Sequence, residues 1–389
     1  MNASDFTQPS GLLVNETWGD QTYLAFVPHP LPPSFCYDPA LVKALTEAVH
    51  KLGELAGLGR LIPNPSLLVN PFKRREAVLS SRIEGTQTDI LDLYAYEAGQ
   101  LSLFRNEESS QSHNDAREVH NYVRALNYGL EALQKEPLTL NMLKAMCVIL
   151  LDGVRGSNAA IGEFRRIQNY ISGDVGGLSA ARYVPPPARE LTPVLDAFEK
   201  YIHTESDDPP LVRMAWLHYQ FEAIHPFIDG NGRIGRLLMT LLFIEWKLLP
   251  APLLFLSAYF ESHRGQYYDL MLDISRRGAW REWTLFFLQA VGAQAEAAVL
   301  AAKRLLDIQQ NWRQRAQTTD LSKTAVQVLE LLFETPLINA RIIMDRCSVS
   351  QPTASAAINK LKAVGYLSDM RSSVRSGWYV AGDLLPIDE

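Results

Sequence analysis

Residues 225–236, HPFIDGNGRIGR, place an imidazole, a carboxylate, bare glycines and two guanidinium groups within one short segment. Pro226 disfavours helical geometry at His225, so we expect a helix to end there. Gly230 and Gly232 permit positive φ and close approach of the backbone. The pattern predicts a tight loop, followed by a new helix that begins near Arg233.

Such a loop can bind an anion, because a helix that starts after glycines presents unpaired N–H groups and the positive end of its dipole. Arg233 and Arg236 lie three residues apart on one face of the first turn. Two guanidinium forks suit a polyphosphate better than a single carboxylate. Beside phosphates, Asp229 is a natural ligand for Mg²⁺, and His225 can accept a proton near neutral pH.

Each feature also has an ordinary explanation: a histidine at a helix end, glycines in a turn, or exposed arginines. The glycines of residues 230–235 fit the dinucleotide fingerprint G-x-G-x-x-G, but a predicted helix precedes them and no βαβ pattern surrounds them. Residues 47–50 and 222–225 have the Glu-x-x-His spacing of di-iron bundles, which need two further glutamates that cannot be assigned. The sequence has no G-x-x-x-x-G-K-[ST], which excludes a P-loop NTPase.

The composition is that of an ordinary globular protein. The chain has 389 residues, of which 47% are hydrophobic and 21% charged, with a formal net charge of -6. This charge argues against a protein that mainly coats nucleic acid or anionic lipid. Three scattered cysteines, no predicted signal peptide and no apolar run long enough to span a bilayer predict a cytoplasmic protein without membrane contact.

Helical periodicity dominates from residue 39 onward and predicts a mainly α fold. We expect an extended arm over residues 1–40, a long helix over about 71–98 and a loop over 101–115. Residues 164–187 contain two strand-like runs around a glycine turn and predict a β-hairpin. The last part of the chain, residues 321–389, predicts helix, helix, turn, helix and wing, the order of a winged helix-turn-helix domain.

HPFIDGNGRIGR resembles the Fic-domain signature, H-P-F-x-D-G-N-G-R-x-x-R, at every defined position. The hairpin sequence, GEFRRIQNYISG with YVPPP, is similar to the flap of that family. The layout is similar to bacterial Fic proteins of the Shewanella type, with a C-terminal winged helix. The resemblance implies an N-terminal arm and helices over residues 1–114, which include the helix over about 71–98. A catalytic helical bundle over 115–295, a helical linker over 296–320 and the winged helix over 321–389 follow.

The resemblance also implies an activity: transfer of AMP from ATP to a Ser, Thr or Tyr hydroxyl of a target protein or of the enzyme itself (AMPylation), with release of pyrophosphate. His225 is then the base that deprotonates the hydroxyl, and Asp229 holds Mg²⁺. Other members of the segment bind the nucleotide, with Arg236 on the γ-phosphate; these are Gly230, Asn231, Gly232, Arg233, Ile234, Gly235 and Arg236.

A second stretch, SSRIEG, resembles the inhibitory pattern of the family, [ST]-x-x-x-E-[GN], with Ser80 and Glu84 at its defined positions. These residues are four apart and share one helical face. If the Glu84 carboxylate pairs with Arg236, this arginine can no longer bind the γ-phosphate. ATP then binds only in an unproductive pose. The alternative is an ordinary exposed glutamate paired with a nearby arginine.

The resemblance suggests two further contacts with ligands. An extended segment of the target protein can pair with the edge of the hairpin, which places its hydroxyl over the α-phosphate. Tyr267 and Tyr268 lie where such proteins line the adenine pocket, although a buried core aromatic residue fits the sequence equally well. A homodimer is also common among such proteins.

The C-terminal module carries seven Lys and Arg and four acidic residues over 322–380, a net charge of about +3. Its candidate recognition helix offers polar side chains and its wing two arginines: Gln351, Thr353, Ser355, Asn359, Lys360, Arg371 and Arg375. DNA contact and protein docking both remain open.

Three functions compete. The first is a self-inhibited protein adenylyltransferase. The second is a transcription regulator whose Fic domain only senses nucleotide. The third is a Fic enzyme that uses another nucleotide donor, or that also removes AMP with Glu84 placing a water. The intact His225 favours an enzyme over a sensor.

Overall fold

The computed structural model describes residues 1–19, 21–62, 65–97, 110–154, 161–171, 178, 181–370 and 377–385. The prediction of a mainly α fold is confirmed, since helices make up most of these residues. The helices that precede the C-terminal module are α1 (Pro39–Leu61), α2 (Ser66–Ile83), α3 (Ile90–Glu97), α4 (Ser110–Ala132), α5 (Leu140–Leu150), α6 (Leu191–His203), α7 (Pro210–Ile224), α8 (Asn231–Glu245), α9 (Ser257–Ser262), α10 (Arg264–Arg277) and α11 (Trp280–Thr318).

Helices α7 and α8 form the centre of the main core. Almost every residue of both helices is buried, as the apolar sequence LLMTLLFI of α8 predicts. They pack against each other, while α7 also contacts α11 and α8 also contacts α4 and α5. The loop that joins them is therefore held between two fixed helix ends.

The prediction of an extended arm over residues 1–40 was wrong for its first part. Strands β1 (Gly11–Trp18) and β2 (Gln21–Pro28) form an antiparallel hairpin, and Gly19 adopts φ 59° where the chain turns. The signal was available: two runs rich in β-branched and aromatic residues flank the Gly-Asp pair at 19–20. Phe26 N donates to Val184 O at 2.9 Å, so this hairpin lies against the second arm of the predicted flap.

The helix predicted over about 71–98 is divided into α2 and α3. The break falls at Glu84 and Gly85, because Gly85 adopts φ 99°, which is accessible at low cost only to glycine. Glu84 therefore lies at the C-cap of α2 rather than inside a helix. Pro71 is accommodated within α2, whose start at Ser66 precedes the predicted one.

Two other element boundaries differ from the predicted ones. Helix α4 begins at Ser110, inside the loop predicted over 101–115, whose first residues 101–109 lie outside the described residues. Helix α11 runs through residue 295 without a break, so the catalytic bundle and the predicted linker share one helix. By length and composition α11 could cross a membrane, but it packs along α1 in the main core, where helices of this composition are common.

The two arms of the predicted flap meet in an antiparallel bridge between Ile171 and Tyr183, which agrees with a hairpin. Its turn, residues 172–177 and 179–180, lies outside the described residues. Ile167, Tyr170 and Ile171 are exposed on its first arm.

The elements of the C-terminal module are α12 (Lys323–Leu332), β3 (Leu337–Asn339), α13 (Ala340–Cys347), α14 (Gln351–Ala363), β4 (Ser368–Asp369) and β5 (Trp378–Val380). The module has its own core and a small antiparallel sheet in the strand order β3-β5-β4. This order of elements agrees with the predicted winged helix-turn-helix, whose membership of that class stays a prediction. The wing arginines Arg371 and Arg375 lie outside the described residues. Tyr94 of α3 packs in one apolar cluster with Leu337 and Trp378, which joins the module to the N-terminal helices.

Candidate active site

His225 ends α7, as the following proline predicts. It adopts the left-handed conformation, φ 49° and ψ 59°, and its imidazole is half-buried. Nδ1 lies 3.2 Å from Glu222 O. The pKa of His225 is lowered to about 4: burial is the largest cause and the nearby Arg165 adds to it, while the Glu222 carbonyl, Glu84 and Asp229 oppose the shift. The imidazole is therefore neutral at pH 7 and able to accept a proton.

The loop after His225 is held by side-chain amides. Asn231 Oδ1 accepts from Phe227 N at 2.8 Å, and Asn231 Nδ2 donates to Phe227 O at 2.9 Å. Asn169 of the flap donates to the same carbonyl at 2.9 Å. The side chain of Asn231 thus fixes the loop in this structure, and its contact with phosphate stays a prediction.

The start of α8 has the properties of an anion site. Gly230 adopts φ 82° as the N-cap residue, and no side chain of the described residues caps this helix. Its first N–H groups are available to an anion. A Cβ on Gly232 would lie 2.3 Å from Glu84 Oε1, so the glycine makes room for a carboxylate oxygen beside the first turn.

Arg236, Ser80 and Glu84 lie in contact, as the resemblance to the Fic family implies. Arg236 is 1% exposed. Its Nη2 lies 2.6 Å from Glu84 Oε1 and 3.0 Å from Ser80 O, while its Nε donates to Ser80 Oγ at 2.8 Å. Burial alone would raise the pKa of Glu84, but Arg236, Arg233 and His225 outweigh it and hold this pKa below its usual value. The side chains of Ser80 and Glu84 both accept hydrogen bonds from the guanidinium group of Arg236.

Arg233 is nearly buried and has two acidic neighbours. Its Nη1 lies 3.2 Å from Glu118 Oε2, and its Nη2 lies 3.5 Å from Asp229 Oδ1. The sequence did not predict that Glu118 of α4 is part of the site, because only helix packing brings it beside Arg233. Asp229 accepts from Gly230 N at 2.6 Å and is half exposed.

Among the described residues no group of three or more His, Cys, Asp and Glu side chains could hold a metal ion. A single accessible carboxylate nevertheless fits Mg²⁺ that is bound mainly by phosphate oxygens, since this ion takes only one or two carboxylates in such sites. Asp229 has the required exposure, and it lies next to the start of α8.

Two of the residues predicted to bind nucleotide, Ile234 and Gly235, contact the protein interior in this structure. Ile234 is fully buried in the main core, and its N–H donates to Gly230 O within the helix. A Cβ on Gly235 would lie 2.2 Å from Glu222 Oε1, so Gly235 leaves room for that carboxyl group between α7 and α8.

Burial raises the pKa of Glu222 to about 8, and its Oε1 has no hydrogen-bond partner among the described residues. Glu222 is therefore uncharged at pH 7.

In this structure Tyr267 packs as a core tyrosine, and its contact with adenine stays a prediction. Tyr267 is fully buried, donates or accepts a hydrogen bond with His218 Nε2 at 2.8 Å and stacks on Phe260 with 4.6 Å between ring centroids. The neighbouring Tyr268 is half-buried, and the charges of Glu84 and Arg236 act on its hydroxyl. The same two charges act on the Tyr267 hydroxyl, so both tyrosines lie near the candidate site, and Tyr268 is the more exposed of the two.

Models of known families match two parts of the chain. The Fic/DOC family N-terminal model matches residues 42–131, and the Fic/DOC family model matches residues 137–243. The second match contains the loop, the flap and most of α8. The first contains Ser80 and Glu84.

Curated relatives and solved structures agree with these matches. The chain is 30% identical over 184 residues to the protein adenylyltransferase Fic of Drosophila grimshawi, across 46% of this chain and 33% of that protein. It is 33% identical over 127 residues to the protein of the same name from Culex quinquefasciatus, across 32% and 22%. The chain thus matches about a third or less of the length of these relatives.

A Fic family protein from Desulfovibrio desulfuricans has a similar fold, with a TM-score of 0.56, 19% identity and coverage of 90% of this chain and 98% of that chain. A Fic domain containing signaling protein from Bacteroides thetaiotaomicron gives a TM-score of 0.52 at 18% identity, over 67% and 96%. With the sequence signature, the family matches and this fold in agreement, the chain belongs to the Fic/DOC family.

Proposed function

We propose that the protein transfers AMP from ATP to a hydroxyl group of a target protein, and of itself, and that Glu84 inhibits this reaction. One observation carries the proposal: the Glu84 carboxylate lies where a phosphate is expected. It contacts Arg236, faces Gly232 at the start of α8, and is within electrostatic reach of Arg233 and His225. A nucleotide phosphate at this point meets the same groups.

The reaction follows from these positions. The target hydroxyl attacks the α-phosphorus, the bond to the bridging oxygen breaks, and pyrophosphate leaves. His225 is neutral and takes the hydroxyl proton. The N–H groups of α8, Arg233 and Arg236 stabilise the phosphate charge, and Asp229 would hold Mg²⁺, which neutralises charge on the phosphates. An extended target segment pairs with the flap, residues 164–187.

Inhibition follows from competition for Arg236. Its guanidinium already has partners in Ser80 and Glu84, so a γ-phosphate must displace a carboxylate that is bound at 2.6 Å. Glu84 comes from the same chain. Relatives named protein adenylyltransferase Fic support the activity at the level of the family.

The test compares α-labelled ATP, GTP, CTP and UTP with the purified wild-type protein and the Glu84→Gly variant. We expect label from ATP on the variant itself and little on the wild type, and γ-labelled ATP should transfer nothing. Preferred transfer from another nucleotide would support the alternative donor. Loss of AMP from modified protein only while Glu84 is intact would support AMP removal.

A nucleotide-sensing regulator of transcription is the second candidate. Helix α14 exposes polar side chains while Ala354, Ala357 and Ile358 are buried, the arrangement expected of a helix that reads DNA. The exposed residues are Gln351, Thr353, Asn359 and Lys360. A salt-dependent, sequence-selective shift of promoter DNA, with no label transfer even from Glu84→Gly, would favour this function.

A further inference from the structure

Arg165 is a buried arginine of the flap whose partners are main-chain carbonyls. It is 2% exposed. Nε donates to His225 O at 2.9 Å, and Nη2 donates to Pro186 O at 2.5 Å and to Ile224 O at 3.3 Å. Nη1 donates to Ile167 O at 3.3 Å. No carboxylate pairs with it among the described residues.

These carbonyls belong to three different segments. Ile167 is in the first arm of the flap and Pro186 in the second, while Ile224 and His225 end α7. The last carbonyls of a helix lack partners inside the helix, and an arginine at that end satisfies them and complements the dipole. The main-chain N–H of Arg165 also donates to Pro226 O at 2.9 Å. One residue therefore joins both arms of the flap to the end of α7.

The joined segments hold the two reactants under the proposed function. The flap binds the target segment that carries the hydroxyl, and the end of α7 carries the imidazole. The left-handed backbone of His225 is unfavourable for a residue with a Cβ and persists only where its surroundings hold it.

We propose that Arg165 is a positioning residue that sets the distance and direction between the target hydroxyl on the flap and the imidazole of His225. The inference rests on the proposed function, which assigns the target to the flap and the base to His225. It adds a residue that touches neither the nucleotide nor the hydroxyl.

Arg165 also acts on the charge state of the base. The groups that influence the imidazole are Arg165 from the flap, Glu84 from α2, Asp229 from the loop and the carbonyl of Glu222. Burial lowers the pKa of His225 most, and the positive charge of Arg165 lowers it further. Replacing Arg165 by a neutral side chain should therefore raise the pKa of His225 toward its usual value, whereas lysine should leave it nearly unchanged.

The test uses Arg165→Met and Arg165→Lys in the full chain carrying Glu84→Gly. We expect kcat for AMP transfer to fall about 10²-fold in Arg165→Met, because a small displacement of reacting groups has an effect of this size. ATP affinity, measured by calorimetry, should stay within about threefold, since α8 is not changed. Arg165→Lys should keep the acid limb of the pH profile but lose part of kcat, because one ammonium reaches fewer carbonyls.

Arg213 supplies the matched control. It is also buried and donates to main-chain carbonyls, Tyr201 O at 2.9 Å and Thr204 O at 2.8 Å, but it lies at the start of α7. Arg213→Met should lower the melting temperature without moving the pH profile. A kcat for Arg165→Met no lower than for Arg213→Met would overturn the proposal, and so would a parallel loss of ATP binding.

The titration of His225 by NMR without nucleotide separates this inference from the proposed function. If the Glu84→Gly parent transfers no AMP, the proposed function fails. The pKa of His225 should be higher in Arg165→Met than in the parent and in Arg165→Lys, and an equal pKa in all three proteins would contradict the electrostatic part. If Arg165→Met does not fold, the kcat of Arg165→Lys decides, and an unchanged kcat contradicts the positioning role.

Discussion

Glu84 Oε1 lies 2.6 Å from Arg236 Nη2, and this pair joins the end of α2 to the first turns of α8. Arg236 is almost fully buried, whereas the Glu84 side chain is 36% exposed. The acid can therefore leave toward solvent while the guanidinium stays in place. Under the proposed function, Glu84 and the γ-phosphate are alternative partners of one fixed cation.

The first prediction concerns stability and nucleotide binding in Glu84→Gly. Its melting temperature without nucleotide should fall, because removal of one partner leaves a buried charge, an effect of about 1–3 kcal/mol for a pair with this exposure. Magnesium and ATP should raise the melting temperature of the variant more than that of the wild type, since a phosphate replaces the lost carboxylate.

Glu54→Gln is the matched control, because Glu54 forms an exposed ion pair with Lys303 at 3.1 Å, away from the loop. It should behave as the wild type in both measurements. An equal rise of melting temperature with ATP in wild type and Glu84→Gly would show that Glu84 does not compete with nucleotide.

The second prediction concerns the pH dependence of AMP transfer by Glu84→Gly. Burial lowers the pKa of His225 to about 4, and removal of Glu84 takes away one negative charge that opposes this shift. The neutral imidazole, which is the active form, should persist as the pH falls from about 8 to about 5. The measurement is kcat/KM across this range; loss of half the rate near pH 6.5 would contradict it.

The third prediction concerns Glu222, whose carboxyl is mainly uncharged at pH 7 in the folded protein. Since its pKa is raised from 4.5 to about 8, its contribution to stability is present below about pH 4.5 and is lost as the pH rises through 8. Glu222→Gln should therefore gain stability relative to wild type as the pH increases over this window. Urea midpoints at a series of pH values measure this, and a constant difference between the two proteins would refute it.

The fourth prediction concerns Asp229. Asp229→Asn can still accept from Gly230 N but loses the charge that would hold Mg²⁺, so the Mg²⁺ concentration for half-maximal AMP transfer should rise about tenfold or more in the Glu84→Gly background. Asp152→Asn, which changes an exposed acid paired with Arg124, should leave the Mg²⁺ requirement unchanged. If both variants match the parent, Asp229 is not a metal ligand.

The local chemistry of the loop could be predicted from sequence because it depends on neighbours in the chain. Pro226 ends α7 and Gly230 begins α8, and backbone sterics determine both features. The contact of Ser80 and Glu84 with Arg236 joins distant segments, and only the resemblance to the Fic family predicted it.

Contacts between distant segments could not be predicted in this way. Arg165 and Arg166 are adjacent in sequence, yet only Arg165 is buried against the end of α7. Tyr267 and Tyr268 are likewise adjacent, and only packing makes the first fully buried and the second half-buried. The division between α2 and α3, by contrast, is a local effect of Gly85, which interrupts an otherwise continuous helical pattern.

The most direct test of the central claim measures transfer from α-labelled ATP by Glu84→Gly and by the double variant Glu84→Gly with His225→Ala. We predict that the first labels itself and that the second is slower by about 10²–10⁴-fold, while both bind ATP with similar affinity. Equal rates in the two proteins, or no label on either, would contradict the account.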